Sequence, residues 1–372
     1  MKSILVGFIF SIGAVLAFGQ TPECTQTLAQ ANEEFNQGRF FGIASILQDC
    51  LEDGFTIEQQ VQAYHLLTQA YLILDDPIAA ENSYLKLLQA DPEYVANTDN
   101  DPVDIVYLSK KFTATPVFTP HLRFGTNVSA PRLIHENDTE GNPTSRSNSL
   151  RPNLHFGGGM DWNYNDNLSI GAEATLSLKS FKTTINGISI DDTQEAIERH
   201  TWIDIPFYVK YRDNFGKVRP FGYAGFSLNL LLSAKAELQL DNRSPIISAG
   251  ERQQGSQVNT EGPDVNIGYK RNFLNRSLVF GGGAYYKIGH DFIFADLRYV
   301  AGLSNVTKVS ELYNDENGNF AQEIARYRWT GDLFRLDNIS LSFGYVKPLY
   351  NPRKVKRART KKVLREISKE ED

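Results

Sequence analysis

The sequence is poor in the residues from which most catalytic and metal sites are built. Two cysteines, Cys24 and Cys50, are the whole supply in 372 residues. The six histidines, at 65, 121, 135, 155, 200 and 290, include no two at metal-ligand spacing. No nucleophile elbow occurs. Gly157-Gly158-Gly159 and Gly281-Gly282-Gly283 neither open a helix nor lead to Gly-Lys-Ser, so they are not phosphate loops. They read instead as bending points of strands, beside aromatics such as Phe156, Tyr285 and Tyr286. Asp315, Asn317 and Asn319 approach calcium-loop spacing, but Gly318 falls in the wrong place. No metal or other cofactor is expected. Long apolar runs are missing too: past residue 19 no segment is long and charge-free enough to cross a bilayer as a helix.

An export signal stands at the start. Lys2 gives a positive end, Ile4 to Phe18 is mostly apolar, and Ala17-Phe18-Gly19 suits cleavage before Gln20. The run of about 15 residues falls short of the ~18 to 20 a retained anchor helix needs. Residues 1–19 are therefore expected to be a signal peptide. Thr21-Pro22-Glu23 before Cys24 lacks the small residue of a lipoprotein signal. Disulfides persist in an oxidising compartment. Residues 22 to 36 and 41 to 52 read as two helices joined by a short turn. The start of one then lies beside the end of the other, and Cys24 is expected to bond Cys50. An exported chain without membrane helices is either soluble or a membrane barrel.

Residues 20–115 read as a helical domain. Val61, Tyr64, Leu67 and Tyr71 recur at helical spacing, followed by Ala80, Tyr84, Leu87 and Leu88 before Asp91-Pro92. This resembles a tetratricopeptide repeat, with Thr68 where the repeat usually has glycine. A fainter copy has Phe35 and Ala44, 36 residues before Tyr71 and Ala80. An ordinary helical hairpin is the alternative. The domain is acidic: 15 Asp or Glu against four Lys or Arg, a difference of 11. Such a single-sign surface serves solubility or steers partners.

From about Val117 the period changes to two. Leu168, Ile170, Ala172, Ala174, Leu176 and Leu178 alternate with Ser169, Gly171, Glu173, Thr175, Ser177 and Lys179. Ile339, Leu341, Phe343 and Tyr345 alternate in the same way with polar or small residues. The first stretch exceeds the ~5 to 6 residues usual for soluble strands. Membrane barrels need about 9 to 11, apolar towards lipid and polar towards the lumen. Eight strands are expected, at 117–129, 151–163, 168–180, 199–212, 219–236, 278–288, 291–304 and 336–348. Tight joins at 163–167, 213–217 and 288–290 alternate with long polar connections. Short turns on one side and long loops on the other is the outer-membrane pattern, with short turns in the periplasm. The fold class expected is α+β and multidomain: helical domain 20–115, eight-stranded antiparallel transmembrane barrel 116–350, and a basic tail 351–372. Domain and tail would both lie in the periplasm.

Ile205-Pro206-Phe207-Tyr208-Val209-Lys210-Tyr211, followed by Arg219-Pro220-Phe221-Gly222-Tyr223-Ala224-Gly225, resembles the PorT-like outer-membrane barrels common in Bacteroidota. The resemblance covers about 117 to 350. It implies a barrel, and for some relatives a part in protein secretion across the outer membrane.

The alternation sends His121, Arg123, His155, Asp161, Glu173, Asp204, Lys210, Asp296 and Arg298 to the lumen. Eight strands leave an interior just wide enough to be filled by side chains. Charges of both signs should pair there, because an unpaired buried charge is costly. Arg123, Glu173, Asp204, Lys210, Asp296 and Arg298 are the expected network; a proton path or small pore is the alternative. Trp162, Tyr164, Tyr211, Phe334 and Tyr350 fall near strand ends, where interfacial aromatics belong. The tail concentrates Arg353, Lys354, Lys356, Arg357, Arg359, Lys361, Lys362 and Arg365. It could contact anionic lipid, the cell wall, a periplasmic partner or the acidic domain, or be a solvated tail. The expected function is non-enzymatic: an outer-membrane scaffold or accessory subunit of an envelope complex, for secretion or outer-membrane assembly. The expected partners are a periplasmic or outer-membrane protein and membrane lipid, not nucleic acid. A small-solute channel, or a barrel enzyme acting on lipid or peptide, is the alternative.

Overall fold

The computed structural model describes residues 22–99, 101–137, 145–187, 192–242, 246–248, 251–253 and 258–355. The signal-peptide segment 1–19 and the tail residues Lys356, Arg357, Arg359, Lys361, Lys362 and Arg365 lie outside them. The chain divides into two compact units. One comprises residues up to Thr115 together with those from Tyr350; the other is Pro116–Leu349.

The first unit is helical: α1 (Pro22–Asn36), α2 (Ile43–Glu52), α3 (Ile57–Ile73), α4 (Pro77–Ala90) and the short α5 (Val103–Ser109). Thr56 starts α3 with a capping box, its hydroxyl accepting from Gln59 N while the Gln59 side chain accepts from Thr56 N. Asp76 caps α4, and Pro77 fits the first turn, where no amide donor is needed. Cys24 and Cys50 are disulfide-bonded across α1 and α2, Cα to Cα 5.6 Å. Around them Leu28, Ala31, Ile43, Leu47 and Leu66 form one core. Ala80, Tyr84, Leu87, Leu88, Ile105 and Leu108 form a second, against Tyr64 and Tyr71. Thr68 is fully buried, and its hydroxyl donates to Tyr64 O at 2.7 Å, so the site accepts a residue larger than glycine. The chain's last described residues join this unit. Arg353–Lys354 pairs antiparallel with Phe112–Thr113, and Val355 N donates to Lys111 O.

The second unit is an antiparallel sheet of long strands: β1 (Phe118–His135), β2 (Pro152–Asn163), β3 (Leu168–Asn186), β4 (Thr193–Arg212), β5 (Val218–Asn242), β6 (Leu274–Ile288), β7 (Asp291–Gly302) and β8 (Leu333–Val346). Each pairs with the next in sequence, and β8 pairs back onto β1. Short strands add to the rim, Ser145–Leu150 on β3 and Val258–Glu261 and Val265–Asn266 on β5.

Near the tight turns the two faces are inverted relative to a water-soluble protein. Leu122, Phe124, Leu154 and Phe156 are each more than 60% exposed. Their strand neighbours Arg123, His121 and His155 are buried. Trp162, Tyr164 and Tyr211 are exposed at the turn end. Phe334 is instead buried in the sheet's interior, and Tyr350 belongs to the helical unit, where its hydroxyl donates to Glu93 at 2.8 Å. Neither is a surface aromatic of the sheet.

The strands begin at the turn end within a few residues of the expected positions, but several run about six residues further at the loop end. There the polarity swaps. On β3 the inner face passes from Glu173, Thr175, Ser177 and Lys179 to Phe181 and Ile185. The outer face becomes charged: Lys182 meets Glu195 at 2.7 Å, Arg132 meets Asp337 at 3.3 Å, and Arg199 pairs with Glu237 and Asp264. An outward apolar stripe marks a strand only as far as Leu178. The ladder continues beyond it with the faces exchanged.

Candidate functional site

Four charged side chains, from three strands, meet on the inner face of the sheet. Arg123 on β1 donates to Glu173 on β3 at 2.7 Å and to Asp296 on β7 at 2.6 Å. Its second guanidinium nitrogen also reaches Ser342 at 2.9 Å. Arg298 closes the ring from β7, 2.8 Å from Glu173. All four are buried, so each carboxylate exchanges water for charge-assisted bonds from arginine.

Tyrosines complete this belt. Tyr223 donates to Asp296 and accepts from Arg298 Nε at 2.8 Å. The Tyr208 hydroxyl lies 2.9 Å from carboxylate oxygens of both Asp161 and Glu173. Lys210 donates to Asp161 at 2.5 Å and to Tyr285 at 3.0 Å. Thus Arg123, Glu173, Asp296 and Arg298 form one cluster, joined through Tyr208 to Asp161 and Lys210. Asp204 stands apart, paired with Lys179 at 2.9 Å and held by Asn229. His121 is 3.2 Å from Glu173, and His155 is 3.0 Å from Ser342.

Glycines make room for these rings. Gly281 is the register partner of Tyr223, and Gly171 that of Tyr208. A Cβ at either position would strike the ring of its partner. The glycines therefore serve the belt as well as the backbone, a use the sequence reading of them as bending points did not include. Sequence reasoning also missed Lys179, Tyr208, Tyr223 and Tyr285. Their inward register was available from the alternation; the reach of each polar tip was not.

Towards the loop end a second polar group sits inside an apolar cluster. Arg271 donates to Glu198 at 2.7 Å, and His200 lies 3.0 Å from the same carboxylate. Lys270 pairs with Glu323 at 2.6 Å and donates to Leu312 O at 3.2 Å. Burial pulls the Lys270 ammonium below its ordinary pKa, and the Glu323 carboxylate opposes the shift. Phe181, Trp202, Ile267, Val306, Trp329 and Phe334 pack around these pairs. The connections 237–277 and 305–335 are therefore more than solvated loops: they carry buried residues and the short helix α6 (Gln322–Tyr327). Asp315 does form a local turn, accepting from Asn317 N and Asn319 N at 2.8 Å with Gly318 at φ +81°. Among the described residues no group of His, Cys, Asp and Glu could hold a metal ion.

The family model of an outer membrane protein beta-barrel domain matches residues 118–308, 191 of 372. The chain belongs to that outer-membrane β-barrel family. Its sheet, polar within and apolar without, is of the outer-membrane type, with helices N-terminal to it, and the family assigns the protein to the outer membrane. No curated protein matches the sequence. Among solved structures it is similar to the outer membrane protein OprG from Pseudomonas aeruginosa, at 10% identity and TM-score 0.34, over 65% of this chain and 99% of that one. It is also similar to the outer membrane protein AlkL, at 12% identity and TM-score 0.29, over 66% and 93%. A third is the outer membrane enzyme PagL, at 10% identity and TM-score 0.24, over 62% and 99%.

Proposed function

We propose that Pro116–Leu349 closes as an eight-stranded barrel in the outer membrane and acts as a non-enzymatic scaffold or accessory subunit of an envelope complex. The helical unit, read as tetratricopeptide-like, would hold a periplasmic protein partner. The observation that carries this reading is the belt. Its charged side chains are bonded to one another across the interior, so they act as filling and not as a lining for passage. Both crossings between the units, at 115/116 and 349/350, occur where β1 begins and β8 ends. That is the end of the tight turns, which in such barrels faces the periplasm. The similarity of Ile205–Tyr211 and Arg219–Gly225 to PorT-like barrels favours a complex for secretion or outer-membrane assembly. It also favours an origin in Bacteroidota.

The acidic helical surface and the basic tail offer the partner both signs of charge. Arg353 and Lys354 lie on the helical unit, where Lys354 and Lys111 both bond Glu81. The tail residues Lys356, Arg357, Arg359, Lys361, Lys362 and Arg365 follow directly in sequence, and in this reading they extend the same docking surface. Membrane fractionation, with electrophoresis of unboiled and boiled samples, tests the barrel. A band in the outer-membrane fraction that shifts on boiling is expected; a soluble protein without a shift would end this reading. Crosslinking in cells tests the docking surface. Deletion of 353–372 should reduce recovery of the partner, and unchanged recovery would remove the tail from the function.

A further inference from the structure

We propose that the outer face of β6, β8 and β1, near the loop end, binds the phosphomonoester headgroup of a membrane lipid, whose acyl chains lie on the apolar band beside it. This rests on the reading of Pro116–Leu349 as a membrane barrel. The site is built from Arg132 on β1, Arg335 on β8 and Arg276 on β6. Alternation aims all three outward, since their neighbours Pro131, Leu336 and Ser277 are buried. Arg335 and Arg132 are register partners. The Arg132 guanidinium reaches past β8 to donate to Gly302 O at 2.7 Å, and Gly302 lies opposite Ser277, next to Arg276. The three arginines thus share one level of the sheet.

A single carboxylate serves them. Asp337 meets Arg132 at 3.3 Å, and it already accepts from Gly302 N at 2.9 Å and from the Tyr299 hydroxyl at 3.3 Å. Arg276 and Arg335 have no side-chain partner among the described residues, and Arg335 Nε is buried without one. Two positive charges are left over. A phosphomonoester carries about −1.5 to −2 near neutral pH and matches that surplus. The planar fork of arginine also fits phosphate oxygens bidentately. On β3 to β5 the loop-end charges are balanced instead: Lys182, Arg199 and Lys235 stand with Glu195, Glu237 and Asp264. The surplus is therefore local to one side of the sheet.

Apolar side chains flank the arginines. Towards the tight turns Leu278, Phe280, Leu297, Ile339 and Leu341 are exposed. Leu274, Leu303 and Ile134, level with the arginines or beyond them, are exposed as well. A charge set within a lipid-facing apolar zone is costly unless paired. The anion a bilayer supplies at that depth is the phosphate of its own lipid. The apolar band gives the acyl chains a surface, from which a free phosphate would gain nothing.

Native mass spectrometry of the full chain in detergent, titrated with dioleoyl phosphatidic acid, tests the site. The chain should retain this lipid in preference to dioleoyl phosphatidylcholine. It should not retain glycerol 3-phosphate, which has the headgroup without the chains. Arg276→Gln with Arg335→Gln should lower the affinity for phosphatidic acid about tenfold or more, as loss of charge-assisted bonds implies. Lys182→Gln with Lys235→Gln removes the same charge from the balanced side and should leave the affinity unchanged. Arg276→Gln alone should weaken binding in the same direction, and it serves if the double variant does not fold. Equal retention of the two lipids, or an equal loss in both double variants, overturns the site. Glycerol 3-phosphate binding as tightly as phosphatidic acid overturns the lipid assignment. All are read with the heat-modifiable band intact; its absence from the unchanged protein would instead refute the barrel.

Discussion

Arg123 bonds two carboxylates on different strands, and among the described residues Arg298 is the other arginine in the cluster, 2.8 Å from Glu173. Arg123→Ala would leave Glu173 and Asp296 sharing one arginine inside the sheet. Removing one partner of a buried ion pair costs about 3–5 kcal/mol, because the charge left behind remains desolvated. Urea unfolding in lipid vesicles should register a loss of that size. Gly281→Val should act on the same belt from the other side. Its side chain would displace the Tyr223 ring, and with it the bonds to Asp296 and Arg298. Overpacking of this kind costs about 1–3 kcal/mol, and Gly281→Ala should cost less. The charged members of the belt were legible in the sequence because strict alternation places them on one face. Its tyrosines were not. A phenol on a strand counts equally well as apolar filling or as a donor, and only the distance across the barrel decides.

Among the elements, α1 and α2 depend on a covalent brace. The Cys24–Cys50 separation is 26 residues. A closed loop of that length restricts the unfolded chain by about 3.5 kcal/mol. Cys24→Ser should lower the denaturation midpoint of the helical unit accordingly, with no effect on the heat shift of the barrel. The strand 353–354 is held differently. Hydrogen bonding from Lys354, then from Lys111, keeps the Glu81 carboxyl below its ordinary pKa. A lowered folded pKa means the contact stabilises above the ordinary glutamate value of about 4.3 and is lost as pH falls through the folded value. Protection of the Val355 amide, which bonds Lys111 O, measured against its intrinsic exchange rate, should therefore fall as pH drops through the folded Glu81 value and be unchanged near neutrality. The long strands show where pattern reading stops. Leu178 ends the outward apolar stripe of β3, yet the strand continues to Asn186 because Phe181 and Ile185 turn inward as Lys182 turns out. The alternation never lapsed; its polarity reversed.

For the whole molecule, the filled interior predicts electrical silence. In planar bilayers the unchanged protein should give no unitary conductance steps, and steady open channels would favour the solute-channel alternative. The reversed polarity at the loop end also predicts how far the barrel stands out of the bilayer. Lipid-borne spin labels should quench fluorophores at Leu154 or Phe156 but not at Lys182 or Arg199, where outer positions carry paired charge.

The order of elements, the disulfide and the inward register of the belt's charged residues followed from the sequence, because each rests on local spacing. A period of two fixes which side chains share a face, and a short turn between helices brings Cys24 to Cys50. Tertiary structure alone decided the rest. It paired Arg123 with Glu173 and Asp296, sent Asp204 to Lys179, and folded Arg271 and Trp329 into the interior. It also returned Arg353–Lys354 to the helical unit. These partners lie between 25 and 242 residues apart along the chain. No periodicity spans such separations; only the closing of strand upon strand brings the side chains together.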